Sequence, residues 1–165
     1  MSGSKIFAVA TVFIFIFGAA TMDFAVAGEK MKWHGTGIGV KWEQLEVGDL
    51  EGHVIGLFES KQIYLNETTG EKNVSVSIGL MDMNPKMMQA SGHGYGVSIG
   101  KDGSKVFRSW EGKAVGKGHW HGTWTVIGGT DKNKGATGGG TWDSFSLAPQ
   151  HEWLEVEGEI NIPGQ

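Results

Sequence analysis

The sequence predicts an all-β fold, a single eight-stranded antiparallel β-barrel behind a signal peptide. Three observations carry that expectation. Apolar and polar residues alternate with period two over several runs, the spacing of a strand with one buried face. The 28 glycines fall between these runs against only three prolines, with no collagen-like repeat. No long amphipathic helix can be traced after residue 27.

Lys5 supplies a positive n-region, Ile6 to Ala20 an apolar run, and Ala25-Val26-Ala27 a small-x-small cleavage site. Residues 1–27 therefore read as a secretory signal peptide, and the mature protein is expected to start at Gly28 as one domain, 28–165. An uncleaved anchor is the weaker reading, because the run is shorter than the ~20 residues of a spanning helix and Asp23 interrupts its continuation. The expected location is periplasmic or extracellular, in a bacterial envelope, with no stable membrane insertion after processing. Two sequons, Asn66-Glu67-Thr68 and Asn73-Val74-Ser75, matter only in a eukaryotic secretory pathway.

Strands are expected near residues 36–47, 53–65, 73–81, 93–99, 105–113, 119–127, 138–147 and 152–162. NVSVSIGL puts Val74, Val76, Ile78 and Leu80 on one face, and Asn73, Ser75 and Ser77 on the other. EWLEVEGEINI separates Leu154, Val156, Ile160 and Ile162 from Glu155, Glu157 and Glu159, which read as a solvated row. Turns are expected at Gly48-Asp49, residues 66–70 and residues 101–104, with one long loop over residues 81–92 around Pro85. Closing these strands into a barrel removes exposed edges, and glycines allow the bends and close approaches that a tight barrel needs.

Composition excludes several function classes. The net charge is −4 and Arg108 is the sole arginine, so no basic stripe exists to track nucleic acid. Removing Lys5 and Asp23 with the signal peptide leaves that balance unchanged. The chain has no cysteine, which rules out disulfides, thiol catalysis and thiolate metal sites. The glycine-rich stretch 116–142 lacks both the Gly-Lys-Ser/Thr ending of a phosphate loop and a strand-to-helix turn. No serine sits in a nucleophile-elbow context.

Three segments, KDGSKVFRSWEGKAVG (101–116), GTWTVIGGTDKNKGATGGGTW (122–142) and VEGEI near the end, resemble bacterial members of the allene oxide cyclase-like barrel superfamily, itself similar in fold to dirigent proteins. Gly128, Gly129, Thr130, Lys132 and Gly135 match that family's glycine loop. Asp131 stands where glycine is usual and Asn133 where an aromatic is usual. The resemblance covers the C-terminal half. It implies a small barrel with an apolar lumen, often as a homo-oligomer, in which substrates are held in shape. It carries over no catalytic residue.

The leading functional expectation is an exported barrel that binds a small apolar or amphipathic molecule in its lumen, with no cofactor. Trp110, Trp120 and Trp124 fall in neighbouring strands and could grip such a ligand, with Tyr95 and Arg108 as polar handles. Glu111 could pair with Arg108 or act as an acid or base. The alternatives are a cyclase or isomerase of the same fold, and a metal-handling protein. For the latter, His119 and His121 project to the same side of one strand, with His53 or His93 to complete a set. Met81, Met83, Met87 and Met88 offer thioethers for Cu(I), or apolar filler at a barrel mouth.

Overall fold

In the computed structural model, residues 29–86 and 89–164 are described. The signal peptide, the Gly28 start, Met87 and Met88 lie outside them. The chain forms β1 (Glu29–Glu46), β2 (Val54–Asn66), β3 (Lys72–Asn84), β4 (Gln89–Ile99), β5 (Lys105–Gly116), β6 (His119–Gly129), β7 (Thr137–Ala148) and β8 (His151–Asn161), with one 3-10 turn at Asp131–Asn133. Every strand pairs antiparallel with its sequence neighbours, and β8 returns to β1, closing an up-and-down barrel. Strands β6 and β7 are adjacent across the glycine turn, as their sequence predicts. Among the described residues no helix is long and apolar enough to cross a membrane.

The expected loop over residues 81–92 is largely strand. Met81 pairs with Gly92 and Met83 with Ala90, so only the short span between Asn84 and Gln89 connects β3 to β4. Alternation continues through the methionines, and that continuity outweighs the turn signal of Pro85.

Strand alternation leaves open which face turns inward, and β3 resolves it against hydropathy. Asn73, Ser75 and Ser77 point into the barrel, and Ser75 is fully buried. Val74, Ile78 and Leu80 stand on the outer wall, 50%, 49% and 44% exposed. On β8 the apolar side does turn inward: Leu154 and Val156 are buried while Glu155, Glu157 and Glu159 are solvated. Lys32 on β1 pairs with Glu157 at 3.1 Å across that wet surface.

Tryptophan laid over glycine fills the interior. The Trp110 ring occupies the space where a methyl on Gly79 or Gly94 would stand. Trp142 does the same over Gly112 and Gly122, Trp42 over Gly56, and Trp124 over Gly158. An eight-stranded barrel is narrow enough to be filled by side chains, and bare backbone on the facing strand makes room for an indole. Trp42 stays 41% exposed and donates to Gln44 Oε1 at 2.7 Å. Burial of the Trp110, Trp124 and Trp142 rings, each worth roughly 1.5–3 kcal/mol by analogy with other large apolar side chains, stabilises a chain without disulfides. Indole N–H groups pin two of them: Trp124 donates to the Thr141 and Glu157 carbonyls, each at 3.2 Å, and Trp142 to the Thr123 carbonyl at 3.2 Å. The core of Tyr64, Trp124, Val126, Ala136, Leu154 and Val156 lies toward the end bearing the β2–β3, β4–β5 and β6–β7 turns.

Candidate functional site

Inside the barrel lies a cavity of about 100 Å³ that opens to solvent. Its apolar wall is Phe58, Trp110, Trp124, Trp142, Leu154 and Val156. Trp110 and Trp142 meet edge to face with centroids 6.0 Å apart, and Phe58 leans on Trp110 at 5.5 Å. The Trp110 indole nitrogen is buried without a hydrogen-bond partner.

Two polar groups interrupt this wall. On one side Arg108 of β5 reaches inward, and its Nη2 donates to Ser75 Oγ at 3.0 Å and Ser98 Oγ at 2.6 Å. Its guanidinium carbon sits 6.0 Å from the centroid of the Trp124 ring. Both hydrogen-bond partners are neutral, and among the described residues no carboxylate lies within ion-pair distance of it. Arg108 retains accessible surface through the cavity while lying deep in the barrel. Burial lowers its pKa, opposed by Tyr64, but an arginine remains charged.

Across the lumen, Glu152 of β8 accepts from Ser144 Oγ at 2.7 Å and from Gln62 Nε2 at 3.4 Å. Gln62 Nε2 also donates to Ser60 Oγ at 3.1 Å, and Tyr64 Oη donates to Gln62 Oε1 at 3.2 Å. The Glu152 carboxylate occupies space that a side chain on Gly37 would need. Burial pushes the Tyr64 phenol far above its ordinary pKa of 10.0, with Arg108 opposing and Glu152 adding to the shift, so Tyr64 is a neutral donor.

The residues singled out from sequence divide by strand parity. Arg108, Trp110 and Trp124 line the cavity. Trp120 shares their inward parity but sits beside Ala114 and Ser144 near the opposite end, away from the cavity lining. Tyr95 stands on the outer wall, 66% exposed, next to Ile78 and Ser109. Glu111 is likewise outside and exposed. It lies three residues from Arg108, and an odd separation on a strand sends two side chains to opposite faces.

His119 and His121 also face outward, and both turn to one carboxylate on β7. His119 Nε2 lies 2.7 Å, and His121 Nδ1 3.1 Å, from Asp143 Oδ1. Burial raises the Asp143 pKa, but the two imidazole hydrogen bonds outweigh it and the net shift is downward. Among the described residues, no group of three or more His, Asp or Glu side chains is arranged to hold a metal. Met81 points inward and His93 outward, so these two soft-metal donors are separated by the barrel wall.

Ser60, Gln62, Tyr64, Ser75 and Glu152 were not singled out from sequence. Glu152 had a usable signal, since it lies two and four residues from Leu154 and Val156 and so shares their apolar face.

No protein-family model and no curated protein sequence matches this chain. Among solved structures, a pterocarpan synthase dirigent protein matches with a TM-score of 0.53 over 83% of this chain and 87% of that one, at 11% sequence identity. The chain has a dirigent-like barrel fold. The likeness is one of backbone architecture.

Proposed function

We propose that this protein is an exported barrel that binds a small apolar or amphipathic molecule in its lumen. The observation that carries the reading is Arg108, a charged guanidinium, turned into a tryptophan-walled cavity, whose hydrogen-bond partners among the described residues are serine hydroxyls. Burying a cation without a counter-charge is costly. A fold that retains one beside an open apolar cavity is suited to receive a ligand bearing a complementary group. The dirigent-like barrel supports a lumenal role, and the allene oxide cyclase-like motifs in residues 101–159 point the same way.

The test is native mass spectrometry of protein purified from its own source, paired with tryptophan fluorescence. A small molecule released on denaturation, whose return changes the emission, is the expected result. A barrel that carries nothing and whose emission no apolar probe alters would overturn the reading.

A further inference from the structure

We propose that the lumen recognises a bipolar aromatic molecule: one ring carrying an anionic oxygen at one end and a hydrogen-bond donor, hydroxyl or ammonium, at the other. This rests on the ligand-binding reading and specifies its ligand.

The two ends are read from the two walls. Arg108 has five N–H donors, and its protein hydrogen bonds both leave from Nη2. The remaining donors, on a charge without a carboxylate partner among the described residues, match a carboxylate or phenolate oxygen. Glu152 accepts one short hydrogen bond from Ser144 and one long one from Gln62, and no cation among the described residues pairs with it. A carboxylate has about four acceptor sites, so it has capacity for a donor from the ligand.

Among the described residues no ion pair joins Arg108 to Glu152, although both line the same cavity. Arg108 is on β5 and Glu152 on β8, with β6 and β7 between them, and those strands contribute Trp124 and Trp142 to the same cavity. The two poles therefore flank an aromatic wall. Orientation is set by charge: an anionic end meets attraction at Arg108 and repulsion at Glu152. Size is set by volume. One water needs about 10–15 Å³ of such space, so a cavity of about 100 Å³ suits one substituted ring better than a long chain.

The experiment titrates the purified protein, by tryptophan fluorescence, with five probes: 4-hydroxybenzoate, 4-(aminomethyl)benzoate, benzoate, phenol and toluene. At least one of the two bipolar probes should bind about tenfold or more tighter than both benzoate and phenol, and the tighter of the two identifies the donor. Arg108→Met should erase the advantage conferred by the carboxylate and leave that of the donor. Glu152→Met should do the reverse. Should either variant fail to fold, the probe series on the unaltered protein decides. Benzoate equal to both bipolar probes overturns the Glu152 pole, and toluene equal to benzoate overturns the Arg108 pole. If toluene alone binds, the bipolar ligand is wrong and lumenal binding stands. If no probe changes the emission, lumenal binding fails as well.

Discussion

Arg108 and Ser75 lie 33 residues apart in sequence and 3.0 Å apart in space, joined by a hydrogen bond from the guanidinium to a hydroxyl that is fully buried. Ser75 belongs to the inward polar face of β3, and among the described residues the charge has no carboxylate partner. Arg108→Met should therefore stabilise the ligand-free barrel, since an apolar side chain of similar length removes a desolvated charge. A gain of about 1 kcal/mol is expected, at the low end of the range for such replacements because two serine hydroxyls lose a donor. Urea unfolding checks it. A loss of stability would mean that the guanidinium is better compensated than its contacts indicate.

Tryptophan and glycine form a paired device, so a methyl at the wrong glycine should be felt. Gly94→Ala would drive its new carbon into the Trp110 ring and the backbone of Ile78 and Gly79. Overpacking of this kind costs about 1–3 kcal/mol. Gly116→Ala, whose nearest neighbour would be His119 Cβ at 3.9 Å, should stay within about 0.5 kcal/mol of the parent. Equal unfolding midpoints for the two variants would refute the account of the glycines.

The turn before β7 carries a local conflict. Asp131, at the position where the resembling family has glycine, adopts φ 53°. This left-handed conformation is costly for residues with a Cβ and freely available to glycine. Asp131→Gly should raise stability by about 0.5–1 kcal/mol, since relief of strain exceeds the added freedom of the unfolded chain. Thermal unfolding of the pair measures it.

His53 sets the pH response of the barrel end that bears the β1–β2 turn. Its Nε2 lies 2.9 Å from Asp82 and its Nδ1 2.6 Å from Asp49, and these hydrogen bonds, the Asp82 one first, raise its pKa above 6.5. A raised folded pKa means that this contribution is complete below pH 6.5 and disappears as pH rises through the elevated value. Asp49, lowered from 3.8 chiefly by the His53 hydrogen bond, acts in the opposite sense, and its contribution is lost as pH falls through its depressed pKa. Unfolding midpoints measured across this range should decline on the alkaline side of the His53 titration, and His53→Gln should flatten that decline.

The sequence by itself determined the number of strands, their antiparallel order and the use of glycine for bends and close backbone approach. Each of these is written locally, in period-two alternation and in turn residues. It also marked Arg108, Trp110 and Trp124, which line the cavity, alongside Tyr95, Glu111 and Trp120, which do not; Arg108 and Trp110, two apart on one strand, must share a face. Tertiary structure alone decided which face that was. Alternation defines two sides of a strand without naming the inner one, and on β3 hydropathy pointed to the wrong side: Ser75 and Ser77 turn inward and Ile78 and Leu80 outward. Closure of the barrel also brought Gln62 to Glu152 across 90 residues of sequence. Gly37 of β1 pairs with both residues, so the contact depends on the β1–β2 and β1–β8 registers together, which no single segment encodes.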